Sequence, residues 1–156
     1  MLTLKLKDRC SVRICYGDKY WYQNNKRHRL DGPAIEYADG DKAWYQNGKC
    51  HRDNGPAVEY TDAHKAWYHN GKLHREDGPA VEYANGDKRW YQNDKLHRLD
   101  GPAVEYADGN KVWYINDKMV PQLSMLMVAK SGGKMANFIE KMVRQLSMLT
   151  ELNAGI

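Results

Sequence analysis

The chain has 156 residues, a one-domain length, with a hydrophobic share of 42% and a formal net charge of +4. Nothing in that composition indicates disorder, and no window approaches 18 uncharged apolar residues, so no membrane-spanning helix is expected. A single Phe stands beside 11 Tyr and 5 Trp, aromatics whose apolar bodies and polar handles suit half-wet surfaces.

The opening segment, MLTLKLKDRC, threads charges through its apolar residues and lacks an apolar h-region, which argues against a secretory signal. Cys10, Cys15 and Cys50 make an odd number without metal-ligand spacing, the pattern of a reduced, cytoplasmic protein. Residues 1–20 read as N-terminal strands and a worn half-repeat, because SVRICYGDKYWY, from Ser11, aligns with AIEYADGDKAWY, from Ala34.

A repeat array follows over residues 21–118. Trp21, Trp44, Trp67, Trp90 and Trp113 recur every 23 residues, each followed by Tyr. Four units carry His-Arg, then Asp or Asn, then Gly-Pro-Ala, as in His74 to Ala80. The stretches PAVEY and KAWYQN are short, rich in aromatic and β-branched residues and bounded by turn formers, so both predict strands. Asp-Gly or Asn-Gly joins the first pair, and Asn-Gly in QNGK supplies a second turn. KLHREDGPAVEY is then one strand bent at Gly-Pro, where proline must avoid a ladder donor position. Two strands per unit give about ten antiparallel strands in a meander some 45–50 Å long at roughly 4.8 Å per strand. Alternation places Trp, Val58 and Tyr60 on one face and Glu with the second Tyr ladder on the other. Glu36, Glu59, Glu82 and Glu105 face Lys42, Lys65, Lys88 and Lys111 across a turn, a cross-strand ion pair.

The phrase NGKLHREDG, with EYANGDK downstream, resembles the membrane occupation and recognition nexus (MORN) repeat, whose unit is also 23 residues long and shares the Trp, Asn-Gly-Lys, His and Tyr-x-Asp-Gly landmarks. Arg replaces the glycine after His, and DGPA lengthens the middle, so this is a divergent variant. The resemblance implies a solenoid of stacked β-hairpins that serves as a protein-binding scaffold. The HREDGPA spelling is similar to that of phage and large-virus proteins, which implies a viral inhibitor that occupies a host defence complex.

Beyond residue 118 the composition changes. PQLSMLMVAK and KMANFIEKMVRQLSMLTEL read as a short and a longer helix, the second with Phe138, Met142, Leu146 and Leu149 on one apolar stripe. Such a helix caps the open edge of the last strand or pairs with a second copy, giving a homodimer. The expected architecture is mainly β, an elongated antiparallel meander or solenoid of hairpin repeats with this helical cap over residues 119–156.

Function follows from the repetition. An enzyme needs one convergent site, whereas the His-Arg-x-Asp phrase recurs four times with copies ~10 Å apart, two strand spacings. Asp31, Asp77 and Asp100 instead cap the Gly-Pro turn or pair with Arg, and each His packs on a neighbouring aromatic. No catalytic residue, cofactor, metal or membrane lipid is expected, and Cys50, in a slot filled elsewhere by Leu73 and Leu96, is a packing residue. The array carries 15 Lys and Arg against 16 Asp and Glu, so it has no net basic footprint. Recognition of a protein partner is assigned to Arg29, Arg52, Arg75 and Arg98, the outward Tyr45, Tyr68 and Tyr91, and Arg89, which varies between units. The alternative is binding of RNA, DNA or a nucleoprotein through an Arg/His/Tyr ladder with ~10 Å steps.

Overall fold

The computed structural model describes residues 2–5 and 10–120, and the expected cap with Phe138, Met142, Leu146 and Leu149 lies outside the described residues. Antiparallel hairpins build the described chain, which contains no helix. Leu2–Lys5 pairs with Cys10–Cys15, and Cys10–Cys15 pairs with Asp18–Gln23. Every later strand is two residues long. Eleven strands follow one another across a single sheet, about 50 Å from edge to edge at the usual spacing.

Each unit holds four strands instead of the expected two. Val58–Glu59 and Lys65–Ala66 join the long sheet, while Tyr68–His69 and Lys72–Leu73 form a small hairpin beside it. The split falls at Trp67. Its N–H donates to the Ala80 carbonyl at 2.8 Å and its carbonyl accepts from His74 N–H at 3.1 Å, so the chain turns a corner there. The supposed bent strand KLHREDGPAVEY is likewise interrupted, because the proline and the corner bonds divert its backbone from the ladder.

The two turns use different chemistry. In the small hairpins both central residues are left-handed: Asn70 and Gly71 at φ 53° and 85°, Asn93 and Asp94 at 52° and 69°. That is the primed turn that matches strand twist. In the long sheet the loop has three residues. Tyr37 N–H bonds the Asp41 carbonyl, Gly40 N–H bonds the Tyr37 carbonyl, and Gly40 takes φ 100°. Ala63 fills the glycine slot of the next unit at φ 73°, a conformation costly for a side chain.

Register corrects the expected faces. Ala66 lies opposite both Val58 and Val81, and Lys65 opposite both Glu59 and Glu82. Ala66, not Trp67, therefore shares the Val58 side, and a one-residue shift moves every side chain across. Trp, Glu and Lys occupy one face. Val, Ala and both Tyr ladders occupy the other. The expected Glu–Lys register is present at Glu36↔Lys42, Glu59↔Lys65, Glu82↔Lys88 and Glu105↔Lys111. The core is a thin strip: Ala34, Ile35, Ala57, Ala80, Val81, Ala103 and Val104 are at most 5% exposed.

Successive units are joined by bonds that recur at fixed offsets. Gly48, Gly71, Asp94 and Asp117 each donate an N–H to the hairpin before them. Asp18, Asp41 and Asp87 accept from the backbone of the next unit's turn at 2.8 Å. The histidines act here as well, by hydrogen bonding to a turn where packing on an aromatic was expected. Nδ1 of His28, His51 and His74 accepts the N–H of Asn47, Asn70 and Asn93 at 3.1, 3.0 and 3.3 Å. An amide N–H can only donate, so the ring proton of these three sits on Nε2. His51 is 7% exposed. H51A should cost about 1–3 kcal/mol in urea unfolding, because it leaves the Asn70 amide without its acceptor; H28A, at a more exposed joint, should cost less.

Candidate functional site

The face with Trp and Glu is organised by a clamp around each repeat arginine. Arg29, Arg52, Arg75 and Arg98 lie over Trp21, Trp44, Trp67 and Trp90 with 4.2, 3.9, 4.1 and 4.1 Å from guanidinium carbon to ring centroid. Nη1 donates to Glu36, Glu59, Glu82 and Glu105 at 3.2, 2.6, 3.3 and 3.1 Å, and also to the proline carbonyl of its own loop. Nε of Arg29, Arg75 and Arg98 donates to Asp31, Asp77 and Asp100 at 2.9, 2.8 and 3.0 Å, which holds the Asp31 and Asp77 carboxyls below the usual range. The expected Asp–Arg pairing is thus present, and Asn54 stands in the fourth place. The loop glycine packs against the guanidinium. A Cβ on Gly78 would lie 2.9 Å from the Arg75 guanidinium carbon, closer than packing allows.

These arginines are 22–30% exposed, and carboxylate and carbonyl oxygens already take up Nη1 in all four and Nε in Arg29, Arg75 and Arg98. Each glutamate expected to pair across the turn with Lys is held by Arg instead. Among the described residues Lys19 alone forms an ion pair with such a glutamate, Glu36, at 3.3 Å. Two exposed lysine rows remain on this face: Lys42, Lys65, Lys88 and Lys111 along the sheet, and Lys49, Lys72, Lys95 and Lys118 along the hairpins.

The opposite face carries a groove of about 420 Å³ lined by Tyr37, Tyr45, Tyr60, Tyr68, Ala43, Val58 and Cys50, with Asp39 and Asp41 on its rim. Burial pushes the hydroxyls of Tyr45, Tyr60 and Tyr68 up and the Cys50 thiol up to about 12. Cys50 is opposite Tyr45 in register and packs in the slot of Leu73 and Leu96, as a packing residue does. Two units on, Arg89 replaces Ala43. Its guanidinium carbon lies 4.9 Å from the Tyr83 ring centroid, and its buried Nε has no hydrogen-bond partner. Burial opposes its charge, yet Tyr83, Tyr91 and Tyr106 around it keep its pKa above the ordinary value.

The structure therefore divides the expected binding residues. Tyr45 and Tyr68 meet in the groove and Tyr91 meets Arg89, whereas Arg29, Arg52, Arg75 and Arg98 belong to the other face. Tyr37, Tyr60 and the aspartate rim are additions. Counting alternation from the Ala66–Val58 pair, and not from Trp67, would have found them.

One unit also gathers ligand-type atoms of His51, Asp53 and His69 within 4.8 Å of one another. Asp53 and His69 replace residues that are Leu30 and Gln46, or Glu76 and Gln92, elsewhere. His51 Nε2 lies 3.0 Å from Asp53 Oδ1, and its ring centroid 4.7 Å from that of His69. Since Asn70 occupies His51 Nδ1, Nε2 carries a proton and donates it to Asp53. Asn70, His51 and Asp53 form a hydrogen-bonded chain from turn to loop with the His69 ring packed beside it, and His51 offers no bare nitrogen to a metal.

No protein-family model matches the chain, and no curated protein matches its sequence. Among the described residues no helix is long and apolar enough to cross a membrane.

Two outcomes follow from the geometry. G78A should lose about 1–3 kcal/mol through overpacking against Arg75, and in an R75A background most of that loss should vanish in a double-mutant cycle. Cys50 and the groove tyrosines bind their protons more tightly folded than unfolded, from ordinary values of 9.0 and 10.0. Unfolding free energy should hold below about pH 9 and fall as the pH rises towards 12; C50L should make that fall shallower.

Proposed function

We propose that the chain is a non-enzymatic, MORN-like scaffold that recognises a protein partner through its extended repeat surface, with the tyrosine groove at Tyr37, Tyr45, Tyr60 and Tyr68 as the contact. The observation that carries this reading is the contrast between the two faces. On one, each unit binds its own arginine to its glutamate and tryptophan, and the one departure, Asp53 and His69 beside His51, is tied down by the hydrogen bond between His51 and Asp53. On the other, four tyrosines border an open furrow floored by Ala43 and Val58. Tyrosine combines large contact area with low rotamer entropy and a polar tip, the properties of interface anchors.

The lysine rows favour a second reading, a polyanion such as RNA laid along the opposite face. The Arg ladder is committed internally, so lysine would carry that binding. Salt separates the two, because phosphate-driven affinity falls steeply between 50 and 200 mM salt.

As baits in extract of the native cell, the wild-type chain should retain a protein that Y45S/Y68S loses, with both baits folded by circular dichroism. Retention by Y45S/Y68S together with loss by K42Q/K65Q/K88Q would move the function to the lysine face.

A further inference from the structure

The chain contains a model of its own ligand. Ala43 lies between Ile35 and Val58 in the sheet, and Arg89 lies between Val81 and Val104, two units further on. The tyrosines around the first slot are Tyr37, Tyr45 and Tyr60. Those around the second are Tyr83, Tyr91 and Tyr106, the same repeat positions 46 residues later. In the second slot the box is filled by the guanidinium of Arg89, 4.9 Å from the Tyr83 ring. At the first, Ala43 puts no side chain into the slot, Arg27 reaches only its Tyr45 end, and the groove opens there with Tyr68 as a further wall.

The first unit fills the corresponding slot too. Tyr20 occupies it and meets Tyr37 edge-on at 6.4 Å. Arg27 reaches towards the same end, 5.8 Å from the Tyr20 ring and 5.6 Å from Tyr45. A cation over tyrosine faces is attracted by the ring quadrupole, by about 0.5–2 kcal/mol as desolvation increases. The rim adds two carboxylates, Asp39 and Asp41, whose charge complements a cation. A planar guanidinium stacks better on such rings than a compact, strongly hydrated ammonium.

We propose that the open box formed by Tyr37, Tyr45, Tyr60 and Tyr68 over Ala43 and Val58, rimmed by Asp39 and Asp41, receives an arginine side chain of the partner protein, in the manner that its sister box holds Arg89. This deepens the scaffold reading by naming the partner's contact chemistry. A small-molecule probe tests the box without the partner, so failure here leaves the scaffold reading to its own bait experiment.

The probe is N-acetyl-arginine methylamide, titrated into the ¹⁵N-labelled full-length chain, with N-acetyl-norleucine methylamide as the uncharged control. Saturable amide shifts are expected at residues 37–45, 58–60 and 68, in the millimolar range, and none with the norleucine probe. A43R places an arginine in the slot as residue 89 does and should abolish the shifts. R89A restores the small residue found at position 43 and should add a second set of saturable shifts around Tyr83, Tyr91 and Tyr106; beside Ala66 the space is filled by the His64 ring, 4.9 Å from Tyr60 and 4.6 Å from Tyr83. Absence of saturable shifts, equal response to norleucine, or shifts that persist in folded A43R would each overturn the proposal. So would an R89A protein that still binds at one site only, since the two boxes would then not be equivalent.

Discussion

A strand of two residues closes too few backbone bonds to persist on its own, and among the described residues after residue 23 there are no longer ones. Everything else depends on that constraint. A unit obtains its remaining partners from the unit before and the unit after: the turn amide on the histidine, the turn backbone on the aspartate, the hairpin N–H on the preceding carbonyl. Stability in such an array is a sum of units and joints, and no single joint can be omitted cheaply. The 23-residue period is the distance along the chain at which the same donor meets the same acceptor again.

The arginine clamp shows how a thin sheet manages without a deep core. The guanidinium of Arg75 lies over the ring of Trp67 as its wall, and the carboxylates of Asp77 and Glu82 hold that wall in place. Gly78 is required for the closeness of the approach, since its φ is ordinary and the guanidinium lies where a Cβ would go. Because Nη1 of each repeat arginine, and Nε of three of them, are held within the unit, the arginines that look most available in the sequence have fewer donors left for a partner. The small floor of the other face has the opposite effect. Ala43 leaves room between tyrosines, whereas Tyr20 and Arg89 fill the same slot from within and His64 fills the space beside Ala66.

Much of this was legible beforehand. Regular tryptophans, Asn-Gly turns and β-rich stretches announced hairpin repeats, and Asp31, Asp77 and Asp100 paired with arginine as their spacing suggested. The Glu–Lys register was also readable, although its ion pair was not: Lys and Arg compete for one carboxylate, and only the fold shows that Arg75 is held beside Glu82 by its loop. The outward Tyr45 and Tyr68 were legible as a contact, but Tyr37 and Tyr60 were not, because the sequence does not show which residue lies opposite Val58. Ala66 stands there, not Trp67, and that one-residue difference puts Val58 and Tyr60 in the company of Tyr68. The histidines' hydrogen bond was not readable, since the partner is an amide 19 residues away in the next unit, although the His51 ring does pack on that of His69 there.

By itself the sequence determined the period, the turn chemistry and the β character, because these depend on neighbours within a few residues and on propensities that each unit repeats. Only the tertiary structure decided which face each ladder occupies, which cations are already neutralised and where a groove stays open. Those outcomes turn on single-residue register and on contacts between units, where a shift of one position carries a side chain from one side of the sheet to the other.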